Sequence, residues 1–394
     1  MIFNTFAYYF CYLIPSAILF RLLPANWRAW SCVFFGFAFF IHFSWELQGT
    51  WWGPACLALL VWEGLFRNLY QPGSRWCLMG IWISILVLGF FKYWNFFSDT
   101  IFQGADNNPV HWQEAFLPLG ISFFTFEFIH YAYDRYLGRS AKGTQAEYFA
   151  FIFFFPTMVA GPIKRFQDFL PCIQNPSKDW ALDWNRGITR ILCGLVKKFM
   201  FADFLTSLTD HLNREDVSVA PRWALLLWLF SYGWKIYFDF SAYSDIAIGS
   251  GRLFGIKIPE NFNWPYFARN IAEFWKRWHI SLYKWLVDYV FIPLGGSRGG
   301  YLKTLRNIAI VMLVSGLWHG AAFNFILWGA WHACLLILHR VWTSTPFAER
   351  VTAFPKIWAW FSWVTTYALV NLGWAFFVMD SSTALLFFKR LIAG

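Results

Sequence analysis

The feature that most constrains this chain is a succession of apolar runs, most long enough to cross a membrane and several too short or too interrupted to cross simply. Eleven such runs lie at 3–23, 29–45, 51–66, 76–97, 115–136, 147–160, 186–208, 222–250, 307–319, 321–339 and 357–379, with a shorter one at 285–294. A helix needs about 20 predominantly apolar residues to cross a bilayer. In lipid every backbone polar group must be satisfied within the structure, so runs of this kind predict helices. Composition closes off the soluble alternative. Only 14% of the residues are charged, against 58% hydrophobic and 23% aromatic, whereas soluble domains carry about 25% charged residues. The expectation is an all-α integral membrane protein with about eleven crossings, one membrane domain over residues 1–394 with no internal repeat. The first run has no basic segment before it and no small-residue cleavage site, so it is read as the first membrane helix rather than a signal peptide.

Charge gives orientation. Arg21 and Arg28 follow the first run, Arg67 and Arg75 the third, and Arg135, Arg139 and Lys142 the fifth, while 46–50 and 98–114 contain no Lys or Arg. Basic residues gather on the cytoplasmic side, which places the N-terminus and the 98–114 loop outside. It places 251–284, with Arg252, Lys257, Arg269, Lys276, Arg277 and Lys284, in the cytoplasm. The net charge of +10 is spread over short inter-helix clusters that suit anionic lipid, and no basic stripe or motif of a nucleic-acid binder is present. One segment conflicts with a simple crossing: 147–160 would put Lys164, Arg165 and Lys178 outside. Pro156, Gly161 and Pro162 are therefore expected to break it into a re-entrant or interrupted segment. The seven cysteines are scattered without a CxxC pair and read as packing residues.

Four constellations carry candidate chemistry. His319, in "SGLWHGAAFNFILWGAWH", has no charged neighbour for many residues. An ionisable group at membrane depth is costly, and a neutral imidazole can act as a general base. The competing reading is a core histidine bonded between helices. Gly316 and Gly320 beside it leave room for a substrate or for a close helix, and His332, thirteen residues on, reads as packing. His279 follows Lys276 and Arg277 in an aromatic, basic stretch that either receives an anionic donor or forms an ordinary interfacial helix. Asp239 and Tyr243, four apart, share a helical face, and Asp239 is also four residues from Lys235, a ready ion-pair partner. Glu127, His130 and Asp134 lie on one face. An E-x-x-H pair can belong to a dimetal bundle, but no second pair exists, so polar lining or packing is expected and no metal site is assigned.

Taken together, "PLGISFFTFEFIHYAYDRYLG" (118–138), "FFPTMVAGPIKRFQDF" (154–169), "YFDFSAYSDIAIGSGRLFGIKIPENFNWPY" (237–266), "FWKRWHISLYKWLVDYVFIPLGG" (274–296) and "GLWHGAAFNFILWGAWHA" (316–333) resemble the membrane-bound O-acyltransferase family. The likeness is to its bacterial branch of alginate acetylases and D-alanyl transfer proteins, and "AGP" and "NFNWPY" look closer to the former. The resemblance implies a ring of about eleven transmembrane helices, with re-entrant and interfacial helices, around a central funnel. It implies His319 and His279 as catalytic histidines, with Asp239, Tyr243, Asn261, Trp275, Lys276, Arg277, Trp278 and Trp318 along the funnel. It further implies no tightly bound cofactor, an acyl donor such as acetyl-CoA or an acyl carrier protein, and placement in the bacterial inner membrane. The partner implied is an extracytoplasmic SGNH-type acetyltransferase or a polymer-synthesis complex. From the residues alone, a transporter or a scaffold of such a complex stands as the alternative class.

Overall fold

The computed structural model describes residues 2–48, 56–101, 118–346, 348 and 355–393. Among them every regular element is helical. The residues group into two compact units, Met1–Leu195 with Tyr243–Pro259, and Val196–Ala242 with Glu260–Gly394.

The first unit contains α1 (Ile14–Leu22), α2 (Ala25–Gln48), α3 (Leu57–Phe66), α4 (Arg75–Ile101), α5 (Ile121–Tyr136), α6 (Gln145–Ile152), α7 (Phe166–Gln174) and α8 (Trp180–Val196, whose last residue falls in the second unit). The expected interruption is present. α6 opens on a capping box between Thr144 and Glu147 and ends at Ile152, and a four-residue turn, Phe155–Met158, carries Pro156 at its start. Proline lacks the N–H a continuing helix would need, so the chain runs irregularly to α7. α2 packs closely against this break. A Cβ on Gly36 would lie 2.0 Å from the Phe153 carbonyl oxygen, so only glycine admits the approach. Phe37 and Phe39 then pack on Phe153 and Phe155, with ring centroids 4.3 and 5.1 Å apart.

The break also explains one of the awkward basic residues. Lys164 is not a loop charge: it is 2% exposed and paired with Glu127 of α5. The other members of that face are engaged as well. His130 Nε2 accepts the Phe166 N–H at 3.1 Å, and Asp134 accepts from Gln167 at 3.1 Å. The constellation tethers the broken segment to α5.

The second unit begins in a π-helical stretch, Lys197–Ala202, so the run 186–208 is not one regular helix. It includes the first part of α9 (Arg222–Phe254), whose residues from Tyr243 on belong to the first unit. Then follow α10 (Ile271–Arg277), α11 (Ile280–Leu286), α12 (Tyr301–His319), α13 (Phe323–Thr343), α14 (Pro355–Val378) and α15 (Ser381–Ala393). The short apolar run at 285–294 holds another π turn, Val287–Phe291. Among the described residues, three helices meet the length and hydropathy of a membrane crossing: Arg75–Ser98, Phe323–Thr343 and Lys356–Val378. Residues 102–114 of the basic-free loop, 49–50 of the other such loop and 51–55 of the third run lie outside the described residues.

Candidate active site

α12 and α13 form an antiparallel pair whose contact is set by glycine. A Cβ on Gly316 would fall 2.3 Å from the Phe325 carbonyl oxygen, and one on Gly329 would fall 2.5 Å from that of Met312. Gly320, at the turn, is covered by the Phe325 ring. The two glycines flanking His319 therefore serve close packing, not substrate room. Their effect is to hold His319, half-buried at the last position of α12, against aromatic rings on three sides. Trp318, Trp328 and Phe377 have centroids 4.8, 5.0 and 5.1 Å from the imidazole.

His279 is placed by a different device. It is the residue between α10 and α11, at φ 44° and ψ 55°, a left-handed conformation that is uncommon for a residue with a side chain. Outliers of this kind cost about 1–3 kcal/mol and persist where surrounding contacts over-determine them. Asn261 supplies those contacts. Its carbonyl oxygen accepts the Ile280 N–H at 2.9 Å, and its side-chain Oδ1 accepts from Ser281 N and Oγ at 3.2 and 2.8 Å. The same Oδ1 lies 3.1 Å from His279 Nδ1. Because Oδ1 only accepts, Nδ1 must carry the proton, and Nε2 is left with its lone pair. That nitrogen is buried and has no hydrogen-bond partner among the described residues. The His279 ring packs on Phe240 at 4.7 Å and on Trp318 at 6.0 Å. Trp318 thus touches both imidazoles.

The remaining expected funnel residues divide. Asn261 and Trp318 belong with the histidines. Trp275 and Trp278 are buried in an aromatic core behind them: Trp275 packs on Trp328 and His332 at 5.8 and 5.2 Å, and Trp278 on Trp374 at 5.0 Å. Arg277 is held by Glu273 at 2.5 Å, one turn earlier on α10, and Lys276 is exposed. Asp239 does not pair with Lys235, which donates to Thr209 at 3.1 Å. Its partner is Lys198, at 2.8 Å, which also holds Asp203 at 2.7 Å. Four-residue spacing puts two side chains on one face, but the π turn carries an ammonium from another helix to the carboxylate first. Tyr243 belongs to the first unit, where its ring meets Phe3 at 5.8 Å. His332 is completely buried among Trp275, Trp328 and Trp374.

Sequence reasoning missed Ser281, Phe240, Trp328, Phe377 and Lys198. Ser281 lies two residues after His279 and was within reach of a local reading. The others come from helices whose periodic patterns look like any packed membrane helix. No group of three or more metal-binding side chains occurs among the described residues.

An all-helical membrane protein with two imidazoles on a shared indole is the class this geometry defines. Residues 144–374 match the model of the MBOAT, membrane-bound O-acyltransferase, family, and the chain belongs to that family. It is an enzyme of the O-acyltransferase class. It is 37% identical to the probable alginate O-acetylase AlgI of Azotobacter vinelandii, over 96% of this chain and 75% of that protein. It is 41% identical to the protein of the same name from Pseudomonas aeruginosa, over 78% of this chain and 58% of that one. The teichoic acid D-alanyltransferase of Bacillus subtilis is 30% identical, over 83% of this chain and 84% of its own length.

Proposed function

We propose that this protein transfers an acetyl group from a cytoplasmic thioester donor, acetyl-CoA or an acyl carrier protein, for O-acetylation of an extracytoplasmic polysaccharide. The observation that carries the reading is the pair of imidazoles on Trp318, one at a helix end and one with an oriented, unpartnered Nε2. In this reading His319 takes the proton from the acceptor hydroxyl as its oxygen attacks the thioester carbonyl carbon. The carbon–sulfur bond breaks, and the proton passes to the leaving thiolate. His279 Nε2, an acceptor by its tautomer, positions the donor through a hydrogen bond. Holding donor and acceptor together lowers the barrier through orientation already gained on binding.

The setting is a multi-pass protein of the bacterial inner membrane, a ring of about eleven crossings around a funnel, without a tightly bound cofactor. The acetyl group would pass to an extracytoplasmic SGNH-type acetyltransferase or polymer-synthesis complex. Acetyl is preferred over D-alanyl because identity is higher to the relatives named for acetylation than to the D-alanyltransferase.

The test is acyl transfer by purified, folded variants over a donor titration. His319→Ala should lose about 10²- to 10⁴-fold in rate, the usual contribution of general acid–base catalysis. His279→Ala should lose rate at low donor and recover part of it at saturation. Wild-type rate in folded His319→Ala would refute the assignment, and a His279→Ala loss that donor cannot restore would move that residue from positioning into the chemistry.

A further inference from the structure

Away from the histidines, the second unit holds a cavity of about 1120 Å³ between α13 and α14, lined also by Arg269 and Asn270 just before α10 and by Ile271 at its start. Both helices are long and apolar enough to cross a membrane. Leu335 and Leu338 of α13 and Phe361 and Leu369 of α14 make its walls apolar. Leu335 and Trp342, seven residues apart, both line it, so it runs about 10 Å along the helix. At one end Trp342 and Trp358 stack with centroids 5.6 Å apart, the residue type that marks the membrane–water interface. Arg269 lines the same cavity and is exposed.

Among the described residues no carboxylate pairs with the Arg269 guanidinium. Glu273, four residues on, holds Arg277 at 2.5 Å and accepts the backbone N–H of Arg269 at 2.8 Å. An apolar cavity, an interfacial tryptophan pair and a guanidinium without a carboxylate among the described residues match the acyl chain, interface and phosphate of one molecule. We infer that this cavity binds an anionic phospholipid, its acyl chain between α13 and α14 and its phosphate on Arg269. The leaflet is the cytoplasmic one if 251–284 is cytoplasmic, as its Lys and Arg content indicates. Arginine suits this task because its planar fork meets two phosphate oxygens at once, and basic pockets between membrane helices on that face take acidic head groups. The site does not depend on the acyl-transfer reading.

The experiment uses the full-length protein, delipidated in detergent and titrated with phosphatidylglycerol or phosphatidylcholine. Retained lipid is read by native mass spectrometry and thermal stability in parallel. Wild type should hold phosphatidylglycerol in preference to phosphatidylcholine and melt higher with it. Arg269→Gln, a surface change, should weaken phosphatidylglycerol binding about fivefold, the usual worth of one basic residue near an acidic lipid. Arg269→Lys should retain most of it, and Leu338→Trp, which fills the channel, should remove both lipids. Equal retention of the two lipids by wild type, or undiminished phosphatidylglycerol binding by Arg269→Gln, overturns the inference. An identical stabilisation by inorganic phosphate alone would also overturn it, because the acyl channel would then be irrelevant.

Discussion

The two units differ in whether they bury charge. The first does, and each buried charge has a partner, alongside neutral groups such as the Trp184 indole nitrogen that have none among the described residues. Arg21 meets Asp183 at 2.8 Å and the Leu253 carbonyl at 2.9 Å, and Lys164 meets Glu127. In the second, what is buried around the candidate site is neutral, and several atoms lack partners: His279 Nε2, both nitrogens of His332, and the indole nitrogens of Trp275 and Trp328. Magnitude explains the difference. A buried unpaired charge costs many kcal/mol, so the first unit cannot leave an ammonium alone. A buried neutral donor or acceptor left unsatisfied costs about 1–3 kcal/mol, which a well-packed aromatic core can carry. A neutral imidazole such as His279 can therefore keep one ring nitrogen open to a substrate in the second unit at a modest cost, which a buried ammonium left alone in the first would far exceed.

The comparison breaks most directly at Lys164. Lys164→Met strands the Glu127 carboxylate and should destabilise the protein by about 3–5 kcal/mol, seen as a lower melting point by fluorescence-detected size exclusion in detergent. Adding Glu127→Leu should restore most of that loss, since removing both charges also removes the need for either. A single variant as stable as wild type would mean that the first unit does not depend on its pairs.

A smaller effect is expected at His332. If its orphaned nitrogens only fill space among tryptophans, His332→Phe, which enlarges a fully buried ring, should cost about 1–3 kcal/mol, as over-packing does, and leave acyl transfer intact. Loss of transfer in a folded His332→Phe protein would extend the functional group of imidazoles to three.

The smallest effect concerns an exposed carboxylate, which calibrates both buried cases. Asp380 caps α15, accepting from Ser382 N, Ser382 Oγ and Thr383 N at 2.9, 2.6 and 3.1 Å. These hydrogen bonds hold its carboxyl well below the usual range. Its contribution is therefore full above the ordinary Asp value of about 3.9 and declines as pH falls below it toward the depressed folded value. Asp380→Ala should cost about 1 kcal/mol at neutral pH. That difference should narrow in melts taken at successively lower pH; a gap that widened on acidification would reverse the sign of the linkage.

Much of this was legible in the residues themselves. The apolar runs marked the long helices α2, α4, α9, α13 and α14 to within about four positions, because the membrane imposes length and helical hydrogen bonding is local. By contrast α7, α10, α11 and α15 are short or amphipathic and fell outside the eleven runs. Pro156 announced the broken segment because a missing N–H acts where it stands. His319 and His279 stood out through cost and motif. What only the tertiary structure decided was partnership. Asp239 takes Lys198, forty-one residues away, in place of Lys235 one turn away. Asn261 determines which nitrogen of His279 keeps its lone pair, Gly316 and Gly320 turn out to be packing contacts, and the expected funnel tryptophans Trp275 and Trp278 lie behind the site. Periodicity says which side of a helix a residue occupies. Which neighbour that side meets depends on a turn of π-helix, a glycine contact or a left-handed residue elsewhere in the chain, and those arise only when the helices pack.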